Sequence, residues 1–101
     1  MRQLLFLYMG VCALLLSPLV MSNEIYACLH NGLERTIKVS YANSDSQVPC
    51  KVVYEKSSGA QILWSSESEA GYCQTKAAEF VASQRGWGWN CTKMKVTVAT
   101  Q

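Results

Sequence analysis

Four of the five cysteines in this chain, Cys28, Cys50, Cys73 and Cys91, are spread at wide intervals through its last three quarters. None forms a C-x-x-C pair, and the single histidine, His30, has no second ligand at metal-binding spacing. The usual zinc and thiol-redox signatures are therefore missing. An even set of cysteines in a short exported chain reads instead as two disulfides. A domain this small buries a limited core, and cross-links compensate for that.

The N-terminus has the layout of an export signal. Arg2 is followed by an uncharged apolar run, Leu4 to Leu16, which Pro18 ends. Val20-Met21-Ser22 then offers small or modest side chains at the positions a signal peptidase reads. Cleavage is expected after Ser22, with Ala27 the less favoured site. The run is too short to cross about 30 Å of hydrocarbon, which needs about 20 residues. Neither Cys12, inside the run, nor "IYAC" before Cys28 offers the small-residue setting of a lipid anchor. The expected organisation is a signal peptide, 1–22, and one disulfide-braced domain, 23–101. Cys12 leaves with the leader.

Losing Arg2 from nine Lys and Arg leaves eight bases against seven acids. That balance lacks the basic stripe of a nucleic-acid binder. No run of like charge would hold the processed chain to a membrane.

Between Glu24 and Tyr41 two apolar-rich arms flank Asn31-Gly32, the dipeptide that supplies both positive-φ residues of a type I′ hairpin turn. In the second arm Leu33, Arg35, Ile37, Val39 and Tyr41 alternate with Glu34, Thr36, Lys38 and Ser40, giving one buried and one wet face. Loop formers from Asn43 to Pro49 precede a second hairpin. Its first strand puts Cys50, Val52 and Tyr54 on one face. Ser57-Ser58-Gly59 turns, and the next strand is expected to pack Ile62 with Trp64. The spacing then becomes three-and-four: Tyr72-Cys73, Lys76-Ala77, Phe80-Val81, Gln84. Ser66 with Glu69 reads as a capping box opening an amphipathic helix of four or five turns, which Gly86 ends. The fold class is α+β, a four-stranded antiparallel sheet of two hairpins followed by one helix, β-β-β-β-α. After Cys91, Met94, Val96 and Val98 alternate, and a short fifth strand and a frayed tail are equally compatible with them.

Four cysteines allow three connectivities. The helix starts where the fourth strand ends, which in a hairpin is also where the third begins. Cys50 opens the third strand and Cys73 lies about two turns into the helix, so the topology favours Cys50 with Cys73. Cys28 with Cys91 then ties the first strand to the segment after the helix.

The segments "YAC", "RTIKVSY", "VPCKVVYEK", "ILW", "GYCQTKAAEFV" and "GWGWNC", in this order, resemble an uncharacterised family of small exported proteins of Gram-negative bacteria. The resemblance spans nearly all of 23–101 and rests on the four cysteines, Trp64, and the Gly-Tyr-Cys and Gly-Trp pairs. It implies a periplasmic location. It carries no activity, substrate or catalytic residue.

Catalytic constellations are scarce. A cysteine nucleophile needs a reduced thiol and a base. There is no G-x-S-x-G, and a triad would have to draw His30 and Asp45 from loops. His30 reads as a solvated flank of the hairpin turn. Glu67 and Glu69 read as helix-start charges rather than paired acids. No catalytic, cofactor or metal residue is assigned, and no cofactor is expected. The candidate binding residues are aromatic: Trp87, Trp89, Trp64 and Tyr41. At least one of Trp87 and Trp89 is expected to close the core as a lid clasped by Cys91, and a Trp left outward is the best single candidate for contact. The function expected is non-catalytic binding of another envelope protein. The alternative is a small inhibitor or immunity-like protein that blocks an envelope hydrolase with the loop before Pro49 or the His30-Asn31-Gly32 turn.

Overall fold

The structure, a computed structural model, describes residues 23–94. The expected leader, and Val96 and Val98 of the tail, lie outside the described residues. Five strands, β1 (Glu24–His30), β2 (Leu33–Tyr41), β3 (Cys50–Lys56), β4 (Gly59–Ser66) and β5 (Asn90–Met94), surround one helix in sequence, α1 (Tyr72–Gly86), which lies between β4 and β5. The sheet is antiparallel, in the order β4-β3-β2-β1-β5. The first four strands form a meander. The helix then crosses one face of the sheet, and the chain returns as β5 beside β1. The segment after Cys91 thus takes the strand alternative and completes the α+β fold.

The first hairpin turns as its dipeptide dictates. Asn31 and Gly32 both have positive φ, 49° and 79°, and His30 faces Leu33 across the turn. The face under the helix carries Cys28, Ile37, Val39, Cys50, Val52, Tyr54 and Cys91, all buried. The helix answers with Cys73, Ala77, Val81 and Gln84, one stripe at spacings of four, four and three. All four of these cysteines belong to the ten-residue buried core. The bridges therefore fill the space that larger apolar side chains occupy in a bigger domain.

The bridges are Cys28–Cys91 and Cys50–Cys73. Cys28 and Cys91 are direct partners in the β1–β5 register. With sequence separations of 63 and 23 residues, the chain-entropy model gives about 4 and about 3 kcal/mol respectively.

Local details differ from the sequence expectations in four places. The helix starts at Tyr72, after a left-handed Gly71, with no side-chain cap. Ser66 Oγ does accept a hydrogen bond from the Glu69 backbone (2.9 Å), but both residues precede the helix, and the bond shapes the turn out of β4. Cys73 is accordingly the second residue of the helix rather than two turns in. Gly86 is the last helical residue, and the stop is Gly88, at φ 99°. Gly88 N–H bonds to Arg85 O and Trp89 N–H to Gln84 O, the paired 5→2 and 6→1 bonds of a Schellman motif.

The fourth difference is a β-bulge. Val52 faces Trp64 while its neighbour Val53 faces Ile62, so Leu63 is an extra residue in β4. Leu63 and Trp64 both pack against the core, and Ile62 turns to the other face, 56% exposed. The expected pairing of Ile62 with Trp64 fails because the bulge breaks the period of two.

Candidate functional site

The glycine turn after the helix builds a lid at the hairpin-tip end of the sheet. The Schellman turn delivers Trp89 onto the core, where its ring lies 4.7 Å from the Arg35 guanidinium and 5.2 Å from the His30 ring. Arg35 occupies a helix-facing position of β2, one step beyond Ile37. Its Nη1 donates to Tyr54 Oη (2.7 Å), and its guanidinium also lies 5.8 Å from the Tyr54 ring. Gln84 Nε2 donates to the same phenol oxygen (3.3 Å). Arg35 is thus packed between two aromatic side chains, its charge near the Trp89 ring and hydrogen-bonded to the Tyr54 hydroxyl.

His30 is a clasp rather than a solvated flank. Its Nδ1 lies 3.0 Å from Gly88 O and its Nε2 3.2 Å from Asn31 Nδ2. Since the carbonyl can only accept, Nδ1 carries a proton and donates, and Nε2 accepts from the amide. Arg85 Nη2 adds a bond to Cys91 O (2.9 Å). Together these bonds hold the β1–β2 turn, the helix end and the start of β5 together.

The four aromatics separate into distinct environments. Trp89 is the half-buried lid. Trp64 packs edge-on against Phe80 (5.8 Å), which also meets Tyr54 edge-on (5.0 Å), and Lys76 lies over its indole. Tyr41 donates to Glu24 Oε2 (3.0 Å) and accepts from Gln74 Nε2 (2.8 Å). Burial, reinforced by the Glu24 carboxylate, holds the Tyr41 hydroxyl well above the usual tyrosine range. Trp87 alone of the four is turned outward, 65% exposed. The structure does not bring these aromatics together: Tyr41 lies at the far end of β2 from the lid.

A second surface emerges only from the strand register. The face away from the helix has no covering element among the described residues. Across it, Met94 faces Ile25, Ile25 faces Lys38, Lys38 faces Val53, and Val53 faces Ile62. This row runs the full width of the sheet, about 19 Å at four strand spacings of about 4.8 Å. Four of its five members are apolar, and the two ends, Met94 and Ile62, are 51% and 56% exposed. Lys38, the fifth member, is paired with Glu55 (3.7 Å). None of these residues is among the candidate binding residues expected from the sequence.

Among the described residues no grouping of three or more His, Cys, Asp or Glu could hold a metal, and no helix is long and apolar enough to cross a membrane. No family model, curated protein or solved structure matches the chain.

Proposed function

We propose that this protein is a non-catalytic binding module of the periplasm that docks another envelope protein on the open face of its sheet. The observation that carries the reading is the row from Met94 to Ile62, which crosses the whole sheet, is apolar on every strand but β2, and is exposed at both ends. Exposed apolar side chains on an uncovered sheet face mark interaction sites. The antiparallel sheet is braced at both ends by disulfides, so the face is pre-organised and loses little freedom on binding. The two bridges and the leader-like first 22 residues support an oxidising compartment. Since β1 begins at Glu24, processing after Ser22 leaves it whole, while processing after Ala27 would cut it.

Affinity capture from periplasmic extract, with the parent and an Ile62→Lys variant side by side, tests the reading. The parent should enrich a partner that the variant, folded and oxidised, does not. Equal enrichment by both, or none by the parent, removes the open face as the docking surface.

One observation favours the inhibitor alternative. The loop between β2 and β3 is tied shut, with Ala42 N–H donating to Pro49 O (2.9 Å), and Ser46 Oγ donating to Val48 O (2.7 Å) and accepting from Val48 N–H (3.2 Å). A pre-ordered exposed loop suits insertion into an enzyme cleft. Stoichiometric inhibition of a peptidoglycan hydrolase, abolished by loop substitutions and untouched by Ile62→Lys, would favour it over the sheet-face reading.

A further inference from the structure

At the hairpin-tip end of the sheet, the two hairpins diverge. The pairing of β2 with β3 runs only from Tyr41–Cys50 to Thr36–Glu55, and beyond it a groove of about 560 Å³ opens between the β1–β2 and β3–β4 turns. Arg35 lines one side of the groove and Lys56 the other, with the hydroxyl side chains Ser57 and Ser58 following Lys56. Both cations converge on Tyr54: the Arg35 guanidinium lies 5.8 Å and the Lys56 ammonium 5.7 Å from its ring centre.

Arg35 and Lys56 each lie next to the last paired residues of β2 and β3, so two like charges border one groove. Among the described residues neither has a carboxylate at ion-pairing distance. Glu34 and Glu55 also border the groove. Each alternates with its basic neighbour along its strand, however, so it belongs to the opposite face of the sheet. Glu55 is already paired with Lys38 (3.7 Å). Of the five N–H donors of Arg35, the hydrogen bonds among the described residues engage one, at Tyr54. Cation–π contact offsets part of the cost of half-burying the guanidinium, but among the described residues it leaves four of the five donors without a protein acceptor. Convergent cations, spare donors and adjacent hydroxyls are what a small oxyanion requires.

We propose that the groove between the two hairpin tips is a binding site for an oxyanion group, a carboxylate or a phosphate, held by Arg35 and Lys56 with Ser57 and Ser58 at its rim. The site is separate from the open sheet face and does not depend on it. Because Arg35 is also packed on Trp89 and Tyr54, an anion there would bear directly on the lid.

Amide-resolved NMR titration of the oxidised protein, expressed from the full chain, tests this. Sodium phosphate and sodium succinate are added in separate series at fixed sodium chloride and ionic strength. At least one should give saturable shifts at residues 35 and 56–58, with millimolar affinity. Lys56→Gln should weaken that binding by tenfold or more, and Arg35→Gln should abolish it. Lys51→Gln, at the opposite end of β3, should leave it unchanged. Saturation by phosphate alone or by succinate alone identifies which oxyanion the site takes. Shifts that stay linear in both series, or that survive Lys56→Gln with unchanged affinity, overturn the proposal. The Lys56 variant decides the matter even if Arg35→Gln fails to fold, because Lys56 is exposed.

Discussion

Gly86 and Gly88 flank Trp87, and alanine should act with opposite sign at the two positions. Gly86 is the last helical residue, and a Cβ there would meet nothing within 4 Å. Alanine at this position reduces the freedom of the unfolded chain and favours the helix. At a helix end the gain falls at the low side of the usual range, about 0.5 kcal/mol. Gly88 sits at φ 99°, and a Cβ there would lie 3.3 Å from His30 Cε1. The left-handed conformation alone costs an L-residue about 1–2 kcal/mol. The His30 ring has little room to yield, because its Nδ1 is bonded to the carbonyl of Gly88 itself. The expected loss is therefore about 2 kcal/mol. In a domain of this size 1 kcal/mol moves Tm by about 4–8 °C. Gly88→Ala should lower Tm by about 8–16 °C, and Gly86→Ala should raise it by about 2–4 °C, in circular-dichroism melts of the oxidised protein. Shifts of the same sign, or a Gly88→Ala protein as stable as the parent, would refute the assignment of the helix stop to Gly88.

Trp89→Ala should destabilise by about 2 kcal/mol, roughly half the 3–5 kcal/mol of a fully buried aromatic, while Trp87→Ala should melt within a degree or two of the parent; intrinsic fluorescence of the two variants separates a shielded indole from a wet one. Thiol titration of the denatured, unreduced mature protein should read near zero, and peptide mapping should recover Cys28 with Cys91 and Cys50 with Cys73; two or more free thiols per chain would break the framework. The Tyr41 hydroxyl is raised above its ordinary value near 10 by burial and by Glu24. Its unfolded form therefore loses a proton first, and stability should fall as pH rises above about 10. Tyr41→Phe should flatten that part of the chemical-denaturation profile, and an unchanged slope would count against the assignment.

The first hairpin was legible because Asn-Gly leaves its turn little choice and the following nine residues alternate. The helix stripe was legible because Cys73, Ala77, Val81 and Gln84 keep one phase. What sequence alone could not supply depended on relations between strands. The bulge at Leu63 leaves no local mark, since "ILW" is apolar at every position, so the face of Ile62 could not be read. Ile25, Val53, Ile62 and Met94 come from four different strands and become neighbours only through register. Ser66 and Glu69 do make a capping-type bond, yet a strand end uses it. With a glycine on each side of Trp87, either could have stopped the helix, and backbone sign decided for the second. One missed signal was available. Arg35 is the charged member of an otherwise uncharged helix-facing row in β2, and a cation at such a position calls for a partner.

Photo-cross-linking in the native host probes the sheet-face reading most directly. A benzophenone side chain is placed at residue 62 or 94 on the open face, or at residue 82 on the exposed side of the helix. One discrete adduct to another envelope protein is expected from residues 62 and 94, and none from residue 82. Adducts from residue 82 alone, or none from either open-face position, would contradict that reading.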